Sequence, residues 1–192
     1  MNNYKKNKKI LEKSFNYKME MEHDACGVGL IASTEGKKSR LVVEYGIEAL
    51  KAVWHRGAVD ADGKTGDGAG IHLEIPKDFF IEKIEVTGHD YDNSEICVGM
   101  IFLPRNDYSS QESSKTIVES ELTKNNFNIY GWRQVPVNTK VLGVKALQTM
   151  PEIIQVLFKS NDPNLIDKEL ERKIYETRKK IENNVHKLSL NN

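Results

Sequence analysis

At 192 residues, with 28 basic and 28 acidic side chains and a formal net charge of zero, the chain is long enough for one domain with its own core. The balanced charge gives no global field to recruit nucleic acid, anionic lipid or an acidic substrate. A hydrophobic share of 39% with a mean hydropathy of -0.55 reads as soluble, and two cysteines exclude a disulfide scaffold and a zinc site of paired thiols.

Residues 1–22 are lysine-rich and lack steady periodicity, which predicts a mobile leader. They hold no uninterrupted apolar core, so no secretory signal is expected. Lysines without arginine, beside Glu12, Glu20 and Glu22, fit a mitochondrial presequence poorly. The longest apolar stretches, 96–103 and 152–158, are strand-length and far short of a membrane span. A cytoplasmic protein is expected.

CGVGLIAST (26–34) reads as a short buried strand, with EGKKSR as its turn. EYGIEALKAVW (44–54) sets Ile47, Leu50 and Trp54 on one helical face. HRGAVDADGKTGDGAG (55–70), with five glycines, is a loop. GIHLEI (70–75) alternates as a half-buried strand does. Pro76 opens a helical turn over KDFFIEKI, and ICVGMIFL (96–103) predicts a strand buried on both faces and ended by Pro104. Ser113 or Ser114 can cap a helix that turns Ile117, Val118 and Leu122 inward.

NIYGWRQVPV and PEIIQVLFK predict two more strands, and KVLGVKALQTM between them is ambiguous. From Asp167, the spacing of Leu170, Ile174, Ile181, Val185 and Leu188 predicts a long amphipathic helix. Strand pairs followed by helices argue for an α+β fold over a doubly wound sheet. The last helix has nothing after it to bury its stripe a second time. A domain end and a cut inside a larger domain are both compatible with that.

The candidate chemistry begins at Cys26. Most cysteines in such proteins are small buried hydrophobes, and Cys97, inside an apolar run, is expected to be one. Around Cys26, however, Gly27 and Gly29 strip bulk from the chain and leave room for a ligand or another backbone. His23 and Asp24 stand beside it, but Cys–His–Asp sets converge from distant segments, so proximity in sequence carries no weight. A metal site of His23, Asp24 and Cys26 lacks a second pair of ligands.

Arg56 could grip a carboxylate through a bidentate fork, or it could pair with an aspartate of the following loop. DGKTGDGAG shares only its glycine content with phosphate-binding loops, and Asp60, Asp62 and Asp67 would repel phosphate. The calcium-loop pattern fails for want of its closing glutamate. A tight, well-bonded structural loop is the expectation.

CGVGLIA, GIEALKAVWHRGAVDADGKTGDGAGI and IPKDFF resemble the start of class II glutamine amidotransferase domains. GWRQVPVNTKVLG (131–143), PEIIQVLF (151–158) and LERKIYETRKKIE (170–182) are similar to the glutamate synthase branch of that family. The resemblance runs from about residue 22 to the end. It implies an N-terminal-nucleophile hydrolase fold, a four-layer αββα sandwich of which this chain holds the N-terminal portion. Residues 1–25 would be a leader or propeptide, and 26–192 the first part of the amidotransferase domain.

By the same resemblance, Cys26 becomes residue one of the mature chain. While Ala25 is attached, the Cys26 nitrogen is an amide and cannot accept a proton. Once freed, it is an amine with a pKa of about 7.7–8.0, near the working pH at which a general base is most effective. The thiolate would attack L-glutamine, and the resulting γ-glutamyl thioester would be hydrolysed while ammonia passes to 2-oxoglutarate. Arg56 is implied to hold the N-terminal segment and Gly57 to offer its carbonyl to the new amine. His23 and Asp24 would leave with the leader.

The family's substrate-clamping arginine, Asn-Gly oxyanion pair and amine-binding carboxylate find no match here. An oxyanion donor is worth about 2.7–4 kcal/mol of barrier. The chain alone is therefore expected to be a truncated, inactive portion, poorly folded because its sheets lack partners. No cofactor is expected in this segment; the resemblance implies FMN and an iron–sulfur cluster for the full-length enzyme. The implied partners are L-glutamine, downstream synthase domains, and a small subunit or ferredoxin, with no nucleic acid and no membrane. The alternative is a catalytically inactive amidotransferase-like domain with a partner-binding or structural role. A redox or metal protein built on Cys26 and Cys97 is disfavoured by their separation.

Overall fold

The computed structural model describes residues 6–7, 9–10, 27–54, 57–66 and 68–190. They belong to two units, residues 1–59 with 66–71 and residues 60–65 with 72–192. In the first unit, helix α1 spans Arg40–Ala52. Ser39 is extended, and its side chain accepts the Leu41 N–H at 3.2 Å, which satisfies one of the donors a helix start leaves unpaired. Arg40 and Glu44 pair one turn apart at 3.2 Å. The helix thus starts four residues before the predicted one, because the cap lies at Ser39. None of its residues is buried, and Trp54, expected on the inward face, is 76% exposed.

Two predicted strands do not form among the described residues, CGVGLIAST in this unit and GIHLEI where the chain passes into the second. Residues 27–33 have no regular structure, with Val28 93% and Leu30 89% exposed. A strand is completed by its neighbour's hydrogen bonds, and no described segment pairs with this one. The expected turn does form, the Gly36 N–H donating to the Ser33 carbonyl at 3.2 Å. GIHLEI is likewise irregular. Its Ile71 lies against α1, where a Cβ on Gly46 would stand 2.9 Å from Ile71 Cδ1.

The second unit is built around one sheet. Helix α2 (Lys77–Val86) follows Pro76 at its N-cap, a position that needs no N–H. Strand β1 (Cys97–Leu103) leads to α3 (Tyr108–Lys124) and then β2 (Phe127–Gln134). A 3-10 turn (Thr139–Val141) and the short α4 (Val144–Thr149) resolve the ambiguous stretch, before β3 (Glu152–Ser160) and the long α5 (Asp167–Leu190). Asp107 caps α3, accepting the Ser110 N–H at 3.0 Å. Ser113 and Ser114, the predicted caps, lie inside the helix.

The strand order is β1-β3-β2, and both pairings are antiparallel, with Gly99 opposite Val156 and Asn128 opposite Lys159. The central, doubly covered strand is therefore β3. β1 is an edge, with Met100 48% and Phe102 62% exposed, which corrects the reading of 96–103 as buried on both faces. A register shift between Ile129 and Gly131 bends β2. Gly131 has φ +150°, and a Cβ there would stand 2.8 Å from Thr87 Cγ2; only glycine suits that backbone and that gap.

Helices cover both faces of the sheet. Cys97, Phe127, Val156 and Phe158 pack with Val118 and Leu122 of α3 and Leu170 of α5. On the other face Tyr130 and Leu157 pack with Phe80 and Ile84 of α2 and with Ile96. β3 alternates between the two, as period-two geometry requires. The fold is mixed α and β, and the described strands form one small antiparallel sheet.

Candidate functional site

Of the three residues singled out for catalysis, Cys26 and Arg56 lie outside the described residues, as do His23, Asp24 and Asp67. Gly57 alone is placed. It follows the end of α1 and donates its N–H to the Trp54 carbonyl at 3.0 Å.

From Gly57 the chain enters a narrow hairpin. Val59 and Gly66 form an antiparallel bridge. One residue further in, the Asp60 N–H donates to the Thr65 carbonyl at 2.7 Å, and the Gly63 N–H donates to the Asp60 carbonyl at 2.9 Å. At the tip, Asp62 Oδ1 accepts the Lys64 N–H at 2.9 Å and the Thr65 N–H at 2.7 Å. Its Oδ2 accepts the Thr65 hydroxyl at 2.6 Å and the Val144 N–H, at the start of α4, at 3.1 Å. The Thr65 hydroxyl, then the backbone N–H groups of Thr65 and Lys64, hold the Asp62 carboxyl well below the usual carboxylate range.

A second tether joins Lys145 to Asp60 at 2.6 Å. Gly143 makes the approach possible, since a Cβ there would collide with Thr65 and Asp62. The expectation of a well-bonded structural loop holds for the described residues. Its partner at 143–145 was beyond sequence reading. The signal for the turn itself is an aspartate followed by Gly-Lys-Thr, the pattern of a side chain that caps the backbone two residues on.

Cys97 is the buried hydrophobe it was expected to be. Burial, then the charges of Glu95 and Glu171, push its thiol up to about 12. It is no nucleophile at neutral pH, because the thiolate is the reactive form. A further polar cluster was missed by sequence reading. Asp92 accepts the Tyr130 hydroxyl at 3.1 Å and the Ser94 N–H at 3.2 Å, and it pairs with Lys159. Lys159, ahead of Ser94, holds the Asp92 carboxyl well below its ordinary range. The cluster is closed on itself and ties the connection between α2 and β1 to the sheet. Among the described residues, no three His, Cys, Asp or Glu side chains converge as a metal site would require.

Residues 26–192 match the family model of the class-II glutamine amidotransferases. The chain is 52% identical over 166 residues to the NADPH glutamate synthase large chain of Azospirillum brasilense, covering 86% of this chain and 11% of that protein. It is 40% identical over 165 residues to the ferredoxin-dependent glutamate synthase of Pyropia yezoensis, covering 85% of this chain and 10% of the relative. Against ferredoxin-dependent glutamate synthase 1 of Arabidopsis thaliana the identity is 41% over 162 residues, covering 84% and 10%. The chain spans about a tenth of the length of these relatives.

Proposed function

The chain belongs to the class-II glutamine amidotransferases, and on that premise we propose that it serves the glutamine-hydrolysing part of a glutamate synthase. The observation that carries this reading is where the family match begins: its first residue is Cys26. Residues 1–25 are then a leader that is removed, and 26–192 form the first part of the amidotransferase domain.

Release of the leader turns the Cys26 nitrogen into an amine of pKa about 7.7–8.0, held in the same residue as the thiol and so aligned with it. The amine takes the thiol proton, and the thiolate attacks the side-chain carbonyl carbon of L-glutamine. The carbon–nitrogen bond breaks, the amine returns the proton to the departing nitrogen, and ammonia leaves a γ-glutamyl thioester. Water, deprotonated by the same amine, hydrolyses the thioester to glutamate and restores the thiol. Arg56 holds the new N-terminal segment, and Gly57 presents its carbonyl to the amine.

In this reading the ammonia passes to other domains of the synthase and is combined with 2-oxoglutarate. The residues here do not fit the redox groups of that reaction. An iron–sulfur cluster takes four thiolates as a rule, and the chain has two cysteines, one of them buried Cys97. FMN, the cluster, and a small subunit or ferredoxin are assigned to the remainder of the enzyme. Among the described residues no helix is long and apolar enough to cross a membrane, and a cytoplasmic location suits the reaction.

The four-layer sandwich is proposed from the family membership, since the described sheet itself carries helices on both faces. Met100 and Phe102 of β1 share the face that carries α2 and stay exposed, where a second sheet would cover them. The alternative, a domain that binds a partner without turnover, has no need of a cysteine at the first matched position.

The test is made on the full-length polypeptide. N-terminal sequencing is expected to start at Cys26, and a glutamine-like diazoketone is expected to add once, to that residue. Cys26→Ala should lower glutamine hydrolysis on the order of 10,000-fold or more, as loss of a nucleophile does elsewhere. Glutamine turnover by protein that still begins at Met1 would overturn the reading.

A further inference from the structure

We infer that Arg133 is a docking point for a carboxylate: the open part of the sheet's α2 face receives an apolar, acid-bearing segment of the same polypeptide from beyond Asn192. This rests on the proposed reading of residues 26–192 as the first part of a longer amidotransferase domain.

Met100, Gln155 and Arg133 stand opposite one another on β1, β3 and β2, so their side chains leave the sheet on one face. They form a line of hydrogen bonds across all three strands. Arg133 donates through Nη1 to Gln155 Oε1 at 2.6 Å, and Gln155 Nε2 donates to Met100 Sδ at 3.2 Å. The Arg133 guanidinium also lies 5.1 Å from the centre of the Phe79 ring on α2, a cation–π contact. Lys83 approaches the same ring to 5.1 Å. Two cations thus share one ring, and among the described residues neither has a carboxylate within ion-pair distance. Glu152, the acidic residue of β3, alternates to the opposite face and bonds Gln134.

The surroundings of these cations are apolar and open: Phe79 is 38%, Met100 48% and Phe102 62% exposed. A small free anion would satisfy Arg133 and leave those side chains wet. An apolar segment without an acid would strip water from a charge it leaves unpaired, which is unfavourable. A carboxylate set among apolar residues answers both demands. Gln155 and Phe79 already hold the guanidinium in place through Nη1 and the ring, which leaves Nε and Nη2 for a two-pronged pair at little further cost in side-chain freedom.

The test is made on the full-length polypeptide with two variants. Gln155→Glu gives the guanidinium a carboxylate inside the sheet. If Arg133 serves only to tie β2 to β3 and α2, that change strengthens the tie and leaves the face as it was. If Arg133 holds an incoming carboxylate, the new one competes for the guanidinium and repels the old. Hydroxyl-radical footprinting of Gln155→Glu is therefore expected to show Met100 and Phe102 losing their protection relative to the unsubstituted polypeptide, with Leu157 unchanged. Arg133→Lys supplies an amine that a carbodiimide couples to an adjacent carboxylate. Peptide mass spectrometry is expected to find position 133 joined to an aspartate or glutamate beyond residue 192, with no mixed pairs when unlabelled and heavy-nitrogen polypeptides are combined.

Protection that is the same with and without Gln155→Glu overturns the inference. So does coupling of position 133 to an acid within residues 1–192, to a second copy, or to none. If Gln155→Glu exposes Leu157 as well, the sheet itself has opened and the coupling result alone decides. Failure of the glutaminase reading is separate: the polypeptide would take up no glutamine-like diazoketone, whether or not position 133 couples.

Discussion

Asp62, Asp92 and Cys97 are among the residues whose protonation the fold perturbs, and the signs differ. The two carboxyls are held low by donated hydrogen bonds. What they contribute to stability is present above the ordinary aspartate pKa of about 3.9 and is lost as pH falls through the lower folded values. Cys97 is displaced the other way by burial. Its contribution is complete below the ordinary thiol pKa of about 8.5 and is lost as pH rises toward the folded value of about 12. Between those limits the folded chain keeps Cys97 as a thiol, while a freed Cys26 beside its own amine would be a thiolate donor. Iodoacetamide at pH 8 is therefore expected to alkylate Cys26 and to spare Cys97 until denaturant is added, as peptide mass spectrometry would register. Alkylation of Cys97 at the same rate in both conditions would contradict its placement against Val156 and Phe158.

At the scale of elements, β3 is the member on which the others depend. It is the only strand with two neighbours in the described sheet, and its Leu157 is fully buried under α2. Leu157→Ala should cost about 2–5 kcal/mol, the range for emptying a packed leucine site, and urea unfolding followed by circular dichroism would measure it. A loss near zero would mean that α2 does not pack there. The sequence carried this much of the fold because α1, α2, α3, α5 and the three strands each show their own period or boundary residue. What it did not carry depends on partners. CGVGLIAST and GIHLEI have the residue pattern of strands, yet strandhood needs a neighbour. The α3 cap was misplaced because Ser113 and Ser114 compete with Asp107, whose side chain reaches Ser110 one turn earlier. The candidate site was legible as a motif around Cys26, Arg56 and Gly57, and the loop as a bonded turn. The seat at Gly143–Val144 was not, because nothing local marks a contact made 82 residues away.

For the whole molecule the question is what covers the open part of the sheet. β1 pairs on one side only, and on the α2 face it presents Met100 and Phe102 to solvent. An exposed apolar edge invites association with other chains unless something covers it. In the proposed synthase the cover is the second sheet of the sandwich, contributed by the same polypeptide. Hydroxyl-radical footprinting separates the cases, since side-chain oxidation follows exposure. In the 192-residue chain Met100 and Phe102 should oxidise readily, while Leu157 on the same face, beneath α2, should not. In the full-length polypeptide Met100 and Phe102 should lose most of that reactivity, with Leu157 unchanged. If both stay reactive there, the second sheet does not lie on this face, and the four-layer arrangement falls even though the family membership stands. If they are already protected in the 192-residue chain and the protection disappears on dilution, the cover is a second copy of the chain.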